Sequence, residues 1–134
     1  MPSDVEALAA NFVLLDPRMQ AHVLPVAPGM YEEIVQRFDH ARSCVLISEY
    51  AFSKDWPVWE CHPHGDEMLY LLAGSADLHM RENGETRVTR LEKTGHFCLI
   101  PKGIWHTAKI VEAPCRILFI TPGEGTQNAE QPGA

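Results

Sequence analysis

Gly95-His96-Phe97-Cys98-Leu99-Ile100-Pro101-Lys102-Gly103-Ile104-Trp105-His106 reads as a turn glycine, a short strand, a tight Pro-x-Gly turn and a strand opening on a histidine. Proline presets φ and glycine permits positive φ, so this turn has a physical origin. Upstream lies a second dense stretch, Trp59-Glu60-Cys61-His62-Pro63-His64-Gly65-Asp66-Glu67-Met68-Leu69-Tyr70-Leu71-Leu72-Ala73-Gly74. Its first half is crowded with groups able to bind a metal. Alternate residues of a strand share a face, so Glu60, His62 and, if the strand continues, His64 point one way. Cys61 points the other way, which argues against a thiolate ligand. Pro63 and Gly65 favour a turn after His62, from which the chain returns with Glu67 facing the same interior, followed by Leu69, Leu71 and Ala73. Taken alone, an H-x-H beside Pro, Gly and Asp is also what a solvated loop looks like.

The remaining chain reads mostly as short strands. Val5, Leu8 and Ala9 have helical spacing in a lead-in too short to say more. Phe12 to Leu15 and His22 to Val26 read as strands stopped by Asp16-Pro17 and Ala27-Pro28-Gly29. Met30 to Ala41 reads as a helix or an irregular crossover. Met30, Ile34, Val35 and Phe38 give an apolar face, with Glu32 and Glu33 early and Arg37 late, as the helix dipole prefers. Ser43 to Phe52, Val58 to His62, Glu67 to Ala73, Ala76 to Met80, Thr86 to Leu91, Phe97 to Ile100, His106 to Val111 and Arg116 to Thr121 follow as strands. Asn83-Gly84 between two of them is a strong hairpin signal. Regular short strands with turn signals between them indicate a sandwich or barrel. The expected organisation is an N-terminal extension over 1–42, a barrel over 43–121 and a mobile tail over 122–134, rich in Gly, Gln, Asn and Pro.

The 134 residues suit one domain. With 18 acidic against 11 basic residues and a net charge of -7, no cationic cluster offers itself to nucleic acid or to an anionic membrane surface. No basic-then-apolar leader is legible in Met1-Pro2-Ser3-Asp4-Val5-Glu6, and no apolar run reaches the roughly 20 residues of a spanning helix. Cys44, Cys61, Cys98 and Cys115 are widely spaced without a C-x-x-C pair. They read as thiols in a reducing compartment, by default the cytoplasm.

Together the two motif stretches resemble the cupins. The family's second motif is G, five residues, P-x-G, two residues, H; Gly95, Pro101, Gly103 and His106 match it without a gap. Its usual closing Asn is replaced by Ile110. The first motif is H-x-H, three or four residues, E, six residues, G. Glu67 and Gly74 keep the E-to-G spacing. With four intervening residues His62 takes the second-histidine position and Glu60 the first; with three, Pro63 and Cys61 stand there, which cannot ligate usefully. The resemblance therefore implies an all-β cupin or jelly-roll barrel with a metal held by Glu60, His62, Glu67 and His106. His64 becomes an extra histidine in the turn, a candidate acid/base or a loop residue. If the loop shortens, His62 and His64 are the pair instead.

Imidazole and carboxylate donors accept Fe, Zn, Mn or Ni. The implied function is a metal-dependent enzyme acting on a small organic molecule, of dioxygenase, isomerase, lyase or cyclase type. The alternative is a non-catalytic ligand-binding or sensing cupin with a structural metal or none. A homodimer is expected, with the Phe12 to Val26 region pairing across chains. Tyr50, Phe52, Trp59, Tyr70, Phe97, Trp105 and Phe119 are expected mostly in the core, one or two of them lining a pocket. Gly74-Ser75 lacks the G-x-S-x-G frame of a serine nucleophile, and Gly123-Glu124-Gly125-Thr126 lacks the lysine of a phosphate loop.

Overall fold

In the computed structural model, which describes residues 4–133, the chain runs β1 (Asn11–Leu15), β2 (Ala21–Pro25), α1 (Met30–Arg37), β3 (Val45–Phe52), β4 (Trp59–Cys61), β5 (Glu67–Glu82), β6 (Glu85–Leu91), β7 (Phe97–Ile100), β8 (Trp105–Thr121) and β9 (Gln127–Ala129). The pairing follows the order β2-β1-β3-β8-β4-β9, with β5 joined to β6, β7 and β8. All pairs are antiparallel. The all-β expectation holds.

The long β5–β8 pair frames the barrel. Where the sequence predicts two strands on either side of Gly74, the structure has one, bulged against β8 between Leu71 and Ala76. Val111 to Arg116 is likewise strand throughout, so β8 is also continuous. Glycine does not end the strand here; it lets it bend. Gly74 has φ +74, and a Cβ there would lie 2.4 Å from the Pro114 carbonyl oxygen and 2.5 Å from that of Glu112. The two strands cross too closely at this corner for any side chain.

Alternation along β5 supplies the core. Leu69, Leu71, Ala76, Leu78 and Met80 are buried and meet Ile117, Phe119 and Ala108 of β8. Fully burying each large apolar side chain stabilises the fold by about 1.5–3 kcal/mol. At the far end Asn83 (φ 52) and Gly84 (φ 77) are both left-handed, as a two-residue hairpin with the strands' twist requires.

The N-terminal segment has its own small core of Phe12, Leu14, Leu24, Met30, Ile34 and Cys44. Tyr50 touches both cores, edge-on to Phe12 at 5.3 Å and to Phe119 at 6.0 Å between centroids. The helix stops at Arg37 because Asp39, His40 and Ala41 all take positive φ. Val35, placed by its spacing on the apolar face, is 42% exposed, and of that face Met30 and Ile34 are buried. Residues 8–10 form a turn, closed from Asn11 N–H to the Ala7 carbonyl, rather than a helix. Phe97, expected in the core, is 56% exposed, because on β7 the inward positions fall to Cys98 and Ile100. The tail is not all irregular: Gln127 to Ala129 pair with Cys61 to Trp59. Its composition is poor in strand formers, but β4 offers a free edge whose backbone groups need partners.

Candidate metal centre

The two motif stretches are tied together by backbone. Gly103 N–H donates to the His62 carbonyl (3.0 Å), and Lys102 N–H donates to Asp66 Oδ1 (2.8 Å). Asp66 thus faces the second motif's turn while its neighbour Glu67 points inward. Strand register does the rest: Glu60 on β4 pairs directly with His106 on β8. His62 follows one residue beyond β4, and Glu67 opens β5.

These four side chains converge. The ligating atoms of Glu60, His62 and His106 lie within 4.8 Å of one another. Glu67 sits between the imidazoles, with Oε1 3.0 Å from His106 Nε2 and Oε2 3.2 Å from His62 Nε2. Glu60 Oε2 is 3.7 Å from His62 Nε2. His106, Glu67 and His62 are 1%, 2% and 5% exposed, whereas the Glu60 side chain is 31% exposed. The structure therefore groups the expected quartet and leaves His64 aside. His64 is 54% exposed and turned toward Glu124, 3.9 Å away. Cys61 is buried and stands outside the cluster.

The outer nitrogens settle which tautomer is present. His106 Nδ1 lies 3.1 Å from the Ile104 carbonyl, which only accepts, so Nδ1 carries a proton. Thr126 Oγ1 donates to the Gly123 carbonyl (2.9 Å) and therefore accepts from His62 Nδ1 at 2.9 Å. Both Nε2 atoms are thereby aimed inward as lone pairs in the neutral imidazole. There, Nε2 of His62, Nε2 of His106 and Oε1 of Glu67 are buried without a hydrogen-bond partner of good geometry. Acceptors facing acceptors at about 3 Å repel unless a proton or a cation sits among them. Two donors on metal bonds of about 2.1 Å at right angles also stand about 3 Å apart. The residues fit a divalent transition metal.

Burial alone would push the Glu67 carboxyl up, but His106 and His62 beside it bring it down to about 2. Burial pushes His106 down, and the Glu67 carboxylate more than reverses this, leaving it above its ordinary value. Burial and then the Glu67 charge push Glu60 up. In the metal-free protein, Glu67 contributes stability above its ordinary pH of 4.5, lost as pH falls toward 2. His106 contributes below 6.5, and this is lost as pH rises through its raised folded value. The thermal midpoint of metal-free protein is expected to peak between these two ordinary values, with metal affinity climbing at higher pH as protons leave Nε2. A midpoint flat from about pH 3 to about pH 8 would contradict the pairing.

Two positioning residues escaped the sequence reading. Thr121, at the end of β8, donates to Glu67 Oε2 at 2.6 Å. Thr126 lies in the stretch that resembles a failed phosphate loop, and no local pattern links it to His62, 64 positions earlier. Thr126→Val leaves His62 Nδ1 without its acceptor. It is expected to weaken metal binding roughly 10–100-fold, read by competition against a chelating dye. Unchanged affinity would remove Thr126 from the site.

A cavity of about 1150 Å³ opens onto the cluster. Tyr50, Phe52, Trp56 and Phe119 line it, as do Ile34 and Tyr31 of α1. The Tyr31 and Tyr50 hydroxyls are hydrogen-bonded to each other.

No family model and no curated protein matches the sequence. Solved structures do match. A deletion mutant of Bacillus subtilis oxalate decarboxylase superposes with a TM-score of 0.53 at 16% identity, over 60% of this chain and 22% of its own. Peruvianin-I, a cysteine peptidase from Thevetia peruviana latex, gives 0.51 at 15% identity, over 63% of this chain and 53% of its own. A cupin-2 domain containing protein from Shewanella frigidimarina gives 0.48 at 24% identity, over 58% and 70%. The fold is a cupin. The chain spans about a fifth of the decarboxylase and about half of the peptidase, and at these identities the likeness is one of fold, which many chemistries share. Burial pushes the thiols of Cys44, Cys61, Cys98 and Cys115 up, away from the thiolate form. Among the described residues, no helix is long and apolar enough to cross a membrane.

Proposed function

We propose that this cupin is a metal-dependent enzyme acting on a small organic molecule, with Glu60, His62, Glu67 and His106 as the metal ligands. The observation that carries the reading is the inward set of buried, unpartnered donors: both Nε2 atoms and Glu67 Oε1. Two imidazoles and two carboxylates suit Fe, Zn, Mn or Ni. When bound, such an ion supplies Lewis acidity or, for iron, oxygen chemistry of the dioxygenase kind.

The protein's own groups prepare that chemistry. The Ile104 carbonyl and Thr126 fix the two imidazoles, and Thr121 holds one oxygen of Glu67. Phe52, Trp56 and Phe119 pack against each other with centroids 5.4 to 6.1 Å apart and form an apolar wall of the cavity. Glu60 is the most exposed donor and lines the cavity, so an incoming molecule meets the cluster beside it.

Protein loaded in turn with Fe(II), Mn(II), Ni(II) and Zn(II) is expected to convert at least one member of a panel of small organic substrates, read as oxygen uptake or product mass. Panel members that bind without conversion under every metal would make this a binding protein and overturn the enzyme reading.

A further inference from the structure

The cavity itself says what kind of molecule reaches the cluster. At about 1150 Å³ it is at or beyond the upper end of the usual range for small-molecule sites, roughly 300–1,000 Å³. That is far more room than a two-carbon diacid requires. Its inner wall is aromatic: Tyr50, Phe52, Trp56 and Phe119, with Phe52–Trp56 centroids at 5.4 Å and Trp56–Phe119 at 5.9 Å. Leu14, Ile34 and Leu46 add aliphatic surface from the N-terminal core and β3. Flat apolar surface of this kind favours a ring system.

Charge narrows the class further. A divalent ion held by the Glu60 and Glu67 carboxylates is already neutralised, since two negative charges meet two positive ones. Among the described lining residues, Lys54 is the single Lys or Arg, and it is exposed at the rim with Asp55 beside it. Among those lining residues no arginine is present to take a carboxylate in the two-point fashion that recognition of small acids uses. An anionic molecule would lose its hydration and gain no fixed partner. Tyr31 and Tyr50 both line the cavity, and their hydroxyls are paired. Their mutual hydrogen bond uses one of two protons, leaving one hydroxyl free to donate and both oxygens able to accept.

We propose that the cavity takes an uncharged, ring-bearing organic molecule that presents an oxygen to the metal cluster and a polar substituent to the Tyr31–Tyr50 hydroxyl pair. This rests on the metal-site reading above and adds the substrate class to it.

The test uses a neutral and an anionic probe on one ring system, 2-naphthol and 2-naphthoate, with 2,6-dihydroxynaphthalene as the neutral probe bearing a second oxygen and oxalate as the small dianion. Each is titrated calorimetrically into zinc-loaded and into metal-free protein, with bound zinc counted in every sample. The expected result is that 2-naphthol binds at least tenfold more tightly than 2-naphthoate and that oxalate gives no saturable heat. Tyr31→Phe with Tyr50→Phe is expected to weaken 2,6-dihydroxynaphthalene, whose second hydroxyl reaches the tyrosine pair, about tenfold at unchanged zinc content, and to leave 2-naphthol nearly unchanged. Val35→Arg, at an exposed lining position, is expected to erode the preference by strengthening 2-naphthoate. Equal affinity for 2-naphthol and 2-naphthoate, tighter binding of either anion, or no binding of 2-naphthol to fully zinc-loaded protein would overturn the proposal while leaving the metal site standing. Failure to bind zinc would overturn the metal-site reading instead. The preference measured on metal-free protein would then still decide the substrate class.

Discussion

Replacing His62 and His106 together with alanine is expected to abolish metal binding, from about one ion per chain to none detectable, with apparent affinity down by at least a thousandfold (about 4 kcal/mol). The size of the effect follows from the geometry. In the proposed site these residues supply two of the four donors, and each is fixed in direction, its Nδ1 being anchored to the Ile104 carbonyl or to Thr126. Glu60 and Glu67 remain, but Glu67 then loses the imidazoles that keep it ionised. A buried carboxylate so isolated takes up a proton, which removes a third donor. Breaking a buried pair from one side also costs the metal-free fold about 3–5 kcal/mol. Element analysis and urea unfolding on the same samples separate the two effects. Full metal content in the double variant at wild-type affinity would place the metal elsewhere on the chain.

Gly74→Ala is expected to be among the most damaging single-methyl changes available in this protein, lowering stability by about 4 kcal/mol and with it the yield of folded chain. Alanine at φ +74 is strained on its own account by about 1 kcal/mol. The larger share comes from contact. The new Cβ would sit 2.4 and 2.5 Å from the Pro114 and Glu112 carbonyl oxygens and 2.8 Å from the Cys115 Cα. All three are backbone atoms of β8, which cannot move aside without disturbing its pairing with β3 as well as β5. Gly84→Ala serves as the control, since nothing lies within 4 Å of its Cβ although its φ is also positive. It should cost no more than the backbone term. If the urea midpoints of the two variants fall together, the close crossing at Gly74 is not what demands glycine.

The spacing of Gly95, Pro101, Gly103 and His106 and the run from Glu67 to Gly74 were enough to give the fold and to fix the frame of the first motif. Turns and strand faces are local properties: proline and glycine impose φ, and alternation follows from the pleat. That frame also preferred Glu60 to His64, and the structure groups Glu60 with His62 and His106. Local pattern failed where a partner distant in sequence decides. Gly74 looks like a strand end because glycine usually weakens strands. It is a bend within β5 only because β8 passes against it.

Composition marked residues 122–134 as a tail. No property of Gln127-Asn128-Ala129 themselves makes a strand; the open edge of β4 does. The same loop brings Thr126 to His62, a contact invisible until the chain closes. What the sequence by itself determined was the barrel, the identity of four candidate donors and the face of the strand on which each lies. Only the tertiary structure decided that those donors converge on one point, which proton each imidazole keeps, and that a large aromatic cavity with almost no cations stands over them. Those three depend on distances between segments far apart in the chain, set by how β4, β5 and β8 cross.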